Sequence, residues 1–185
     1  IRTTETKVIS RARLAADPKM TPAERTEFRS CTGSLQFVAS NTRPDVSADT
    51  SLIQKCEDDL TIEDLSEAYK TIMLLHETTD VGLSINPVDL RRPAIIAFGD
   101  SSWANAGGLL TQNGVLVCFA WLTSLEKESC TTIYDWRSAR TKRVVRSTLA
   151  GESIAADTAA DHGFCAAAYW QEVLFDRPAT RSKIE

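Results

Sequence analysis

The sequence predicts a fold of the α/β class in its α+β form: an antiparallel three-stranded meander covered by one long helix, preceded by a small, mainly helical segment. Three observations predict it. Between Thr21 and Glu77 apolar residues recur at helical spacing. From Ala94 to Arg137 the pattern shifts to short runs rich in β-branched and aromatic residues, punctuated by Gly, Asn and Ser. An Ala-rich stretch, Leu149 to Phe175, then favours helix strongly.

The elements follow in order. Thr3 to Ile9 alternates loosely, as a short strand does, and Asp17-Pro18 and Thr21-Pro22 punctuate it. Thr21-Pro22-Ala23-Glu24 starts a helix: an N-cap Thr, Pro at the first helical position and Glu at the third, which completes a capping box. Phe28, Cys31, Leu35 and Val38 carry its apolar face. Asn41-Thr-Arg-Pro-Asp45 ends it, because a residue before Pro leaves the helical region. A second helix is expected from about Val46 into Gln54. A third runs from Thr61 to Glu77, with Leu65, Ala68, Tyr69, Ile72 and Leu75 inside. Leu83 and Ile85 begin a short strand that Pro87 stops.

The character changes at about Leu90. Ala94 to Phe98 reads as a buried strand that ends in Asp100. Leu109 to Thr111 leads to Gln112-Asn113-Gly114, and Asn-Gly between apolar runs is a hairpin signal, with Val115 to Leu122 as the return strand. Ser124 to Ser129 is a polar turn, and Thr131 to Arg137 the third strand. Ser147-Thr148 caps the long helix, which Gly163 weakens.

Composition narrows the function classes. The 185 residues suit one large domain or two small ones, with ordinary apolar and charged fractions. No apolar run is long enough to cross a membrane, and the N-terminus has neither an apolar h-region nor a Met, as expected of a piece of a longer intracellular chain. The five Cys are scattered and never in CxxC spacing, which argues against a zinc site or a disulfide framework and for a reducing compartment. His76 and His162 are far apart. The net charge of −4 does not advertise a nucleic-acid binder, but it is unevenly spread. Glu57-Asp-Asp59 with Glu63, Asp64 and Glu67 forms an acidic block. Arg137, Arg140, Lys142, Arg143 and Arg146 form a basic one with no acid among them. Either block is also what a solvated face looks like.

Two acids stand out by position. Asp100 ends a buried strand, and an acid there costs desolvation unless something pairs with it. Glu152 lies in the first turn of the long helix, where the helix dipole favours it. A turn residue and a helix cap account for the two. So does a magnesium site, since Mg²⁺ takes a few carboxylates and keeps water and phosphate oxygens.

These residues bring a family into view. Phe98-Gly-Asp100-Ser-Ser-Trp103-Ala-Asn105 resembles the "sDaDWAg" motif that opens the RNase H domain of copia-type retrotransposon Pol proteins. Ser147-Thr-Leu-Ala-Gly-Glu152-Ser-Ile-Ala155 is similar, without a gap, to that family's "SSTEAEYiAl", and Glu152 falls on its catalytic Glu. Tyr169-Trp170-Gln-Glu-Val-Leu174 resembles the "lWLrrLl" that follows. Upstream, Glu27 to Ala39 and Asn41 to Asp45 resemble the "yRslvGsLlYla" and "nTRPDi" near the end of the reverse transcriptase, and Leu65 to Ile85 resembles the connection. The likeness covers roughly residues 22 to 175, in the family's order.

The resemblance implies two domains. Residues 1–90 correspond to a reverse transcriptase thumb or connection, mainly helical. Residues 91–185 correspond to the N-terminal part of an RNase H-like domain, truncated before its fourth strand. It implies cleavage of the RNA strand of an RNA–DNA hybrid by two Mg²⁺ ions, with Mn²⁺ as a substitute, roughly 3.5–4 Å apart. Asp100 would bridge both ions and Glu152 bind one. Ser101 and Ser102 would approach phosphate, and Arg137, Arg140, Lys142, Arg143 and Arg146 would hold the hybrid backbone. The implied partners are the hybrid and the rest of the Pol polyprotein, with no membrane, in a cytoplasmic virus-like particle or the nucleus. This chain departs from the pattern in having Ala150 where relatives have Glu. The family's third and fourth acidic positions are expected past Glu185, and Asp157 and Asp161 read as helix-surface acids. The competing readings are a catalytically inactive structural or hybrid-binding piece, and an unrelated α/β domain.

Overall fold

In the computed structural model the described residues are 8–54, 59–88, 93–106, 110–121, 131–141 and 144–175. They form two units, Ile1–Gly82 and Leu83–Glu185. The boundary falls ahead of the 90/91 division read from the sequence.

The first unit is helical: α1 (Arg11–Ala16), α2 (Pro22–Asn41), a 3₁₀ turn (Pro44–Val46), α3 (Ser47–Ile53) and α4 (Ile62–Glu77). The capping box at Thr21 forms as the sequence predicts. Thr21 N–H donates to Glu24 Oε2 at 2.7 Å, and Glu24 N–H to Thr21 Oγ1 at 3.3 Å. Arg13 of α1 also grips Glu24, through Nε at 2.8 Å and Nη2 at 2.7 Å. That guanidinium, seconded by Thr21 N–H, holds the Glu24 carboxyl down to about 2. Phe28, Leu35 and Ala39 of α2 pack with Val46, Ile53, Ile62, Leu65, Ala68 and Leu75 into one core. Arg43 closes it. Its guanidinium is buried, takes both Asp45 oxygens (2.9 and 2.7 Å) and donates to the Thr78 main-chain oxygen at 2.9 Å and hydroxyl at 2.8 Å. The Thr-Arg-Pro-Asp run therefore ties the end of α2 to the end of α4.

The second unit is a three-stranded antiparallel sheet in the order β1-β2-β3, with β1 Pro93–Ala106, β2 Leu110–Trp121 and β3 Thr131–Arg140, followed by α5 (Thr148–Phe175). The α+β class and the meander with a long helix are thus present. Three expectations are corrected. Asn113-Gly114 is not a hairpin turn. Asn113 pairs with Ser101 on one side and Ala139 on the other, and Gly114 with Asp100 and Ser138. Pairing along both edges outweighs the local turn preference. The β1–β2 connection instead passes through residues 107–109, outside the described ones, because Ala106 pairs with Leu110. Asp100 accordingly lies inside β1 rather than at its end. Leu83 to Ile85 forms no strand. That segment leads to Asn86, which bonds Thr132 through both its N–H (2.9 Å) and its carbonyl (2.8 Å) and so belongs with the sheet. The strand expected at Thr3 to Ile9 falls mostly outside the described residues; Val8 and Ile9 are in no strand.

α5 runs unbroken through Gly163. It lies along β1 and β2 with a row of small residues: Ala159 and Ala166 are buried with Ile95, Val115 and Val117, and Ala155 is buried beside Gly99. Phe119 stacks edge-on to Tyr134 at 4.9 Å and packs against Trp170 at 5.1 Å. Among the described residues no helix is long and apolar enough to cross a membrane.

Candidate active site

β1 is regular from Pro93 to Ser102, so its side chains alternate between the two faces of the sheet. Ala97, Gly99 and Ser101 meet α5. A Cβ placed on Gly163 would lie 3.3 Å from Ala97 Cβ, one on Gly99 2.4 Å from the Ala155 oxygen, and one on Gly151 2.7 Å from Ser101 Oγ. Phe98, Asp100 and Ser102 therefore belong to the other face. Asp100 and Glu152 are each one residue from the Ser101–Gly151 contact, so the fold brings their main chains together, and it directs Asp100 away from the helix that carries Glu152.

Both carboxylates are exposed, and neither forms a hydrogen bond or ion pair among the described residues. The bland accounts of them weaken. Asp100 caps no turn, since it sits in the ladder opposite Gly114. Glu152, expected in the first turn of α5, is its fifth residue counting from Thr148, and no acid occupies that first turn. The cap is Ser147, whose hydroxyl accepts from Ala150 N–H at 3.2 Å and whose carbonyl accepts from Gly151 N–H at 3.2 Å. A dipole effect fades within the first turn.

The pleat sorts the remaining candidates. Arg137 pairs with Val115 and so shares the α5 face, whereas Arg140 pairs with Gln112 and shares the face of Asp100 and Ser102. Gln112 Nε2 donates to Ser138 Oγ at 2.8 Å on that same face. Ser101 Oγ is shielded from solvent beneath Gly151, so of the two serines only Ser102 offers its hydroxyl outward. Arg146 is exposed ahead of α5. Lys142 and Arg143 lie outside the described residues. Asp157 and Asp161 are exposed on α5, in keeping with surface acids.

One pairing was not legible in the sequence. His162 Nδ1 lies 2.7 Å from Asp135 Oδ2 and fastens α5 to β3. The partners are 27 residues apart, and only the alignment of α5 over β3 brings them together.

Among the described residues no group of three or more His, Cys, Asp or Glu stands close enough to hold a metal ion. Asp100 and Glu152 alone fall short of the ligand set that two Mg²⁺ ions take. No family model, curated protein or solved structure matches this chain.

Proposed function

We propose that the chain joins the end of a copia-type reverse transcriptase to part of an RNase H-like domain, and that its reaction is metal-dependent cleavage of the RNA strand of an RNA–DNA hybrid. The observation that carries this reading is the close docking of α5 on β1, which sets two motif acids beside one contact, Ser101 against Gly151. Support also comes from the order of the motifs along the chain and from the meander beneath a long helix. Neither acid has a structural task among the described residues. Asp100 and Glu152 would supply oxygen donors to Mg²⁺ or Mn²⁺, with further ligands needed to complete the site. Ser102 and Arg140 share the sheet face of Asp100, and Arg137 lies on the face covered by α5, the helix that carries Glu152. Such groups hold a phosphate backbone without reading sequence.

A second reading has its own observation. Asp100 points to the face of β1 away from α5, the helix that carries Glu152, which suits a catalytically inactive module that packs within Pol or holds a hybrid weakly. One experiment separates the two. A labelled RNA–DNA hybrid is incubated with the chain, and with a chain extended past Glu185, in Mg²⁺ or Mn²⁺. Cleavage by either chain that disappears in Asp100→Asn and in Glu152→Gln is the expected result. Hybrid binding by fluorescence anisotropy, without cleavage by either chain, would move the assignment to the inactive module.

A further inference from the structure

Beneath the first turns of α5 three polar side chains share one patch of the sheet. Ser101 pairs directly with Asn113, and Thr111 lies two residues along β2, so all three face the helix. Thr111 is fully buried and Asn113 is 8% exposed. Ser101 Oγ, Thr111 Oγ1 and Asn113 Oδ1 are shielded from solvent and have no hydrogen-bond partner among the described residues. The helix offers them none: its residue at this point is Gly151, and Ser101 Oγ and Thr111 Cγ2 lie 2.7 and 3.5 Å from where its Cβ would be. The Thr111 carbonyl is engaged elsewhere, accepting from Thr141 N–H at 2.8 Å and from Thr141 Oγ1 at 3.1 Å.

We infer that this patch is a binding site for one internal water molecule, held by Ser101, Thr111 and Asn113 at the β1–β2–α5 interface. The donor set selects it. Asn113 Oδ1 only accepts, so its partner must donate, while each hydroxyl gives one proton and accepts from another group. Water donates twice and accepts twice, and buried waters typically make about three hydrogen bonds to otherwise unsatisfied groups. The three atoms carry no charge, and no carboxylate is among them, which disfavours a divalent cation. Leaving three buried polar atoms unpaired costs more than immobilising one water. The inference stands independently of the proposed nuclease activity.

The test compares the full chain with Thr111→Val, an isostere without the hydroxyl, and Thr111→Ser, which keeps it. Water–protein nuclear Overhauser spectroscopy on labelled protein should detect one long-lived water near residues 101, 111 and 113. That signal should persist in Thr111→Ser and vanish in Thr111→Val, whose Tm should fall by roughly 4–8 °C. A Thr111→Val protein that melts higher than the wild type, with no water signal in either, would mean that the hydroxyl is an orphan and the site does not exist. A Tm that rises with KCl but not with NaCl at equal ionic strength would replace the water with a potassium ion and overturn the inference as stated. If Thr111→Val does not fold, Ser101→Ala carries the same comparison.

Discussion

Replacing Gly99 by Ala should detach α5 from β1. A Cβ at Gly99 would sit 2.4 Å from the Ala155 carbonyl oxygen, 2.8 Å from its carbon and 3.0 Å from Ala159 Cβ. The first two are main-chain atoms inside a helix, so no rotamer change relieves the contact and the helix itself must lift. Overpacking of this kind costs about 1–3 kcal/mol, and a backbone collision belongs at the upper end. For a unit of this size each kcal/mol moves Tm by roughly 4–8 °C, so Gly99→Ala should lower it by about 12–24 °C. The same calculation ranks three other glycines. Gly151→Ala meets a side-chain oxygen at 2.7 Å and should cost less. Gly163→Ala meets a methyl at 3.3 Å and should cost less again. Gly114→Ala meets nothing nearer than 4.0 Å and should be neutral or slightly stabilising. Thermal unfolding by circular dichroism on the four purified variants reads the series. If Gly99→Ala melts within two degrees of Gly114→Ala, the close approach of α5 to β1 is wrong, and with it the juxtaposition of Asp100 and Glu152.

Further outcomes follow from the same geometry. Asp100→Asn and Glu152→Gln should leave Tm within about 2 °C of wild type, because surface changes without partners cost little; a large loss in either would mean that the acid has a structural role. Arg43→Ala should destabilise the first unit by about 1–3 kcal/mol in urea titration, since it removes the donor to the Thr78 groups while Asp45, 43% exposed, can hydrate, and Arg43→Lys should recover only part of this. The Glu24 carboxyl is held at about 2 against an ordinary 4.5, so its stabilising effect is complete above about pH 4.5 and is lost as pH falls toward 2. Arg13→Ala should flatten that acid limb in a plot of unfolding free energy against pH, and an unchanged limb would remove Arg13 as its cause. Asp135→Asn should weaken the α5–β3 attachment, read as faster amide exchange along α5 around His162.

How much was legible depended on whether the signal was local. The cap at Thr21, the start of α4 after Thr61 and the span of α5 rest on contacts within four residues, and sequence periodicity reports such contacts directly. The Asn113-Gly114 turn failed for the opposite reason. A dipeptide with strong turn preference sits in the central strand, where ladder partners on both sides hold it extended. The length of β1 was underestimated for a related reason: Asp100 and Ser101 look like turn residues, and their pairing with β2 makes them strand. The candidate site was half legible. Motif spacing singled out Asp100 and Glu152, but Glu152, read as a first-turn residue, is the fifth of a helix that starts at Thr148.

By itself the sequence determined the helices α2 to α5 and the existence of three strands, in a helical part followed by a sheet with its helix, and it singled out Asp100 and Glu152. These are properties of neighbours along the chain. Only the tertiary structure decided which face of β1 each side chain occupies. A strand places successive residues on opposite sides, so the register with β2 and the side covered by α5 settle together that Ser101 turns its hydroxyl under α5, that Asp100 looks outward, and that Arg137 and Arg140 part company. The glycines at 99 and 151 let a helix come that close, and a missing side chain acquires meaning only once something is packed against it.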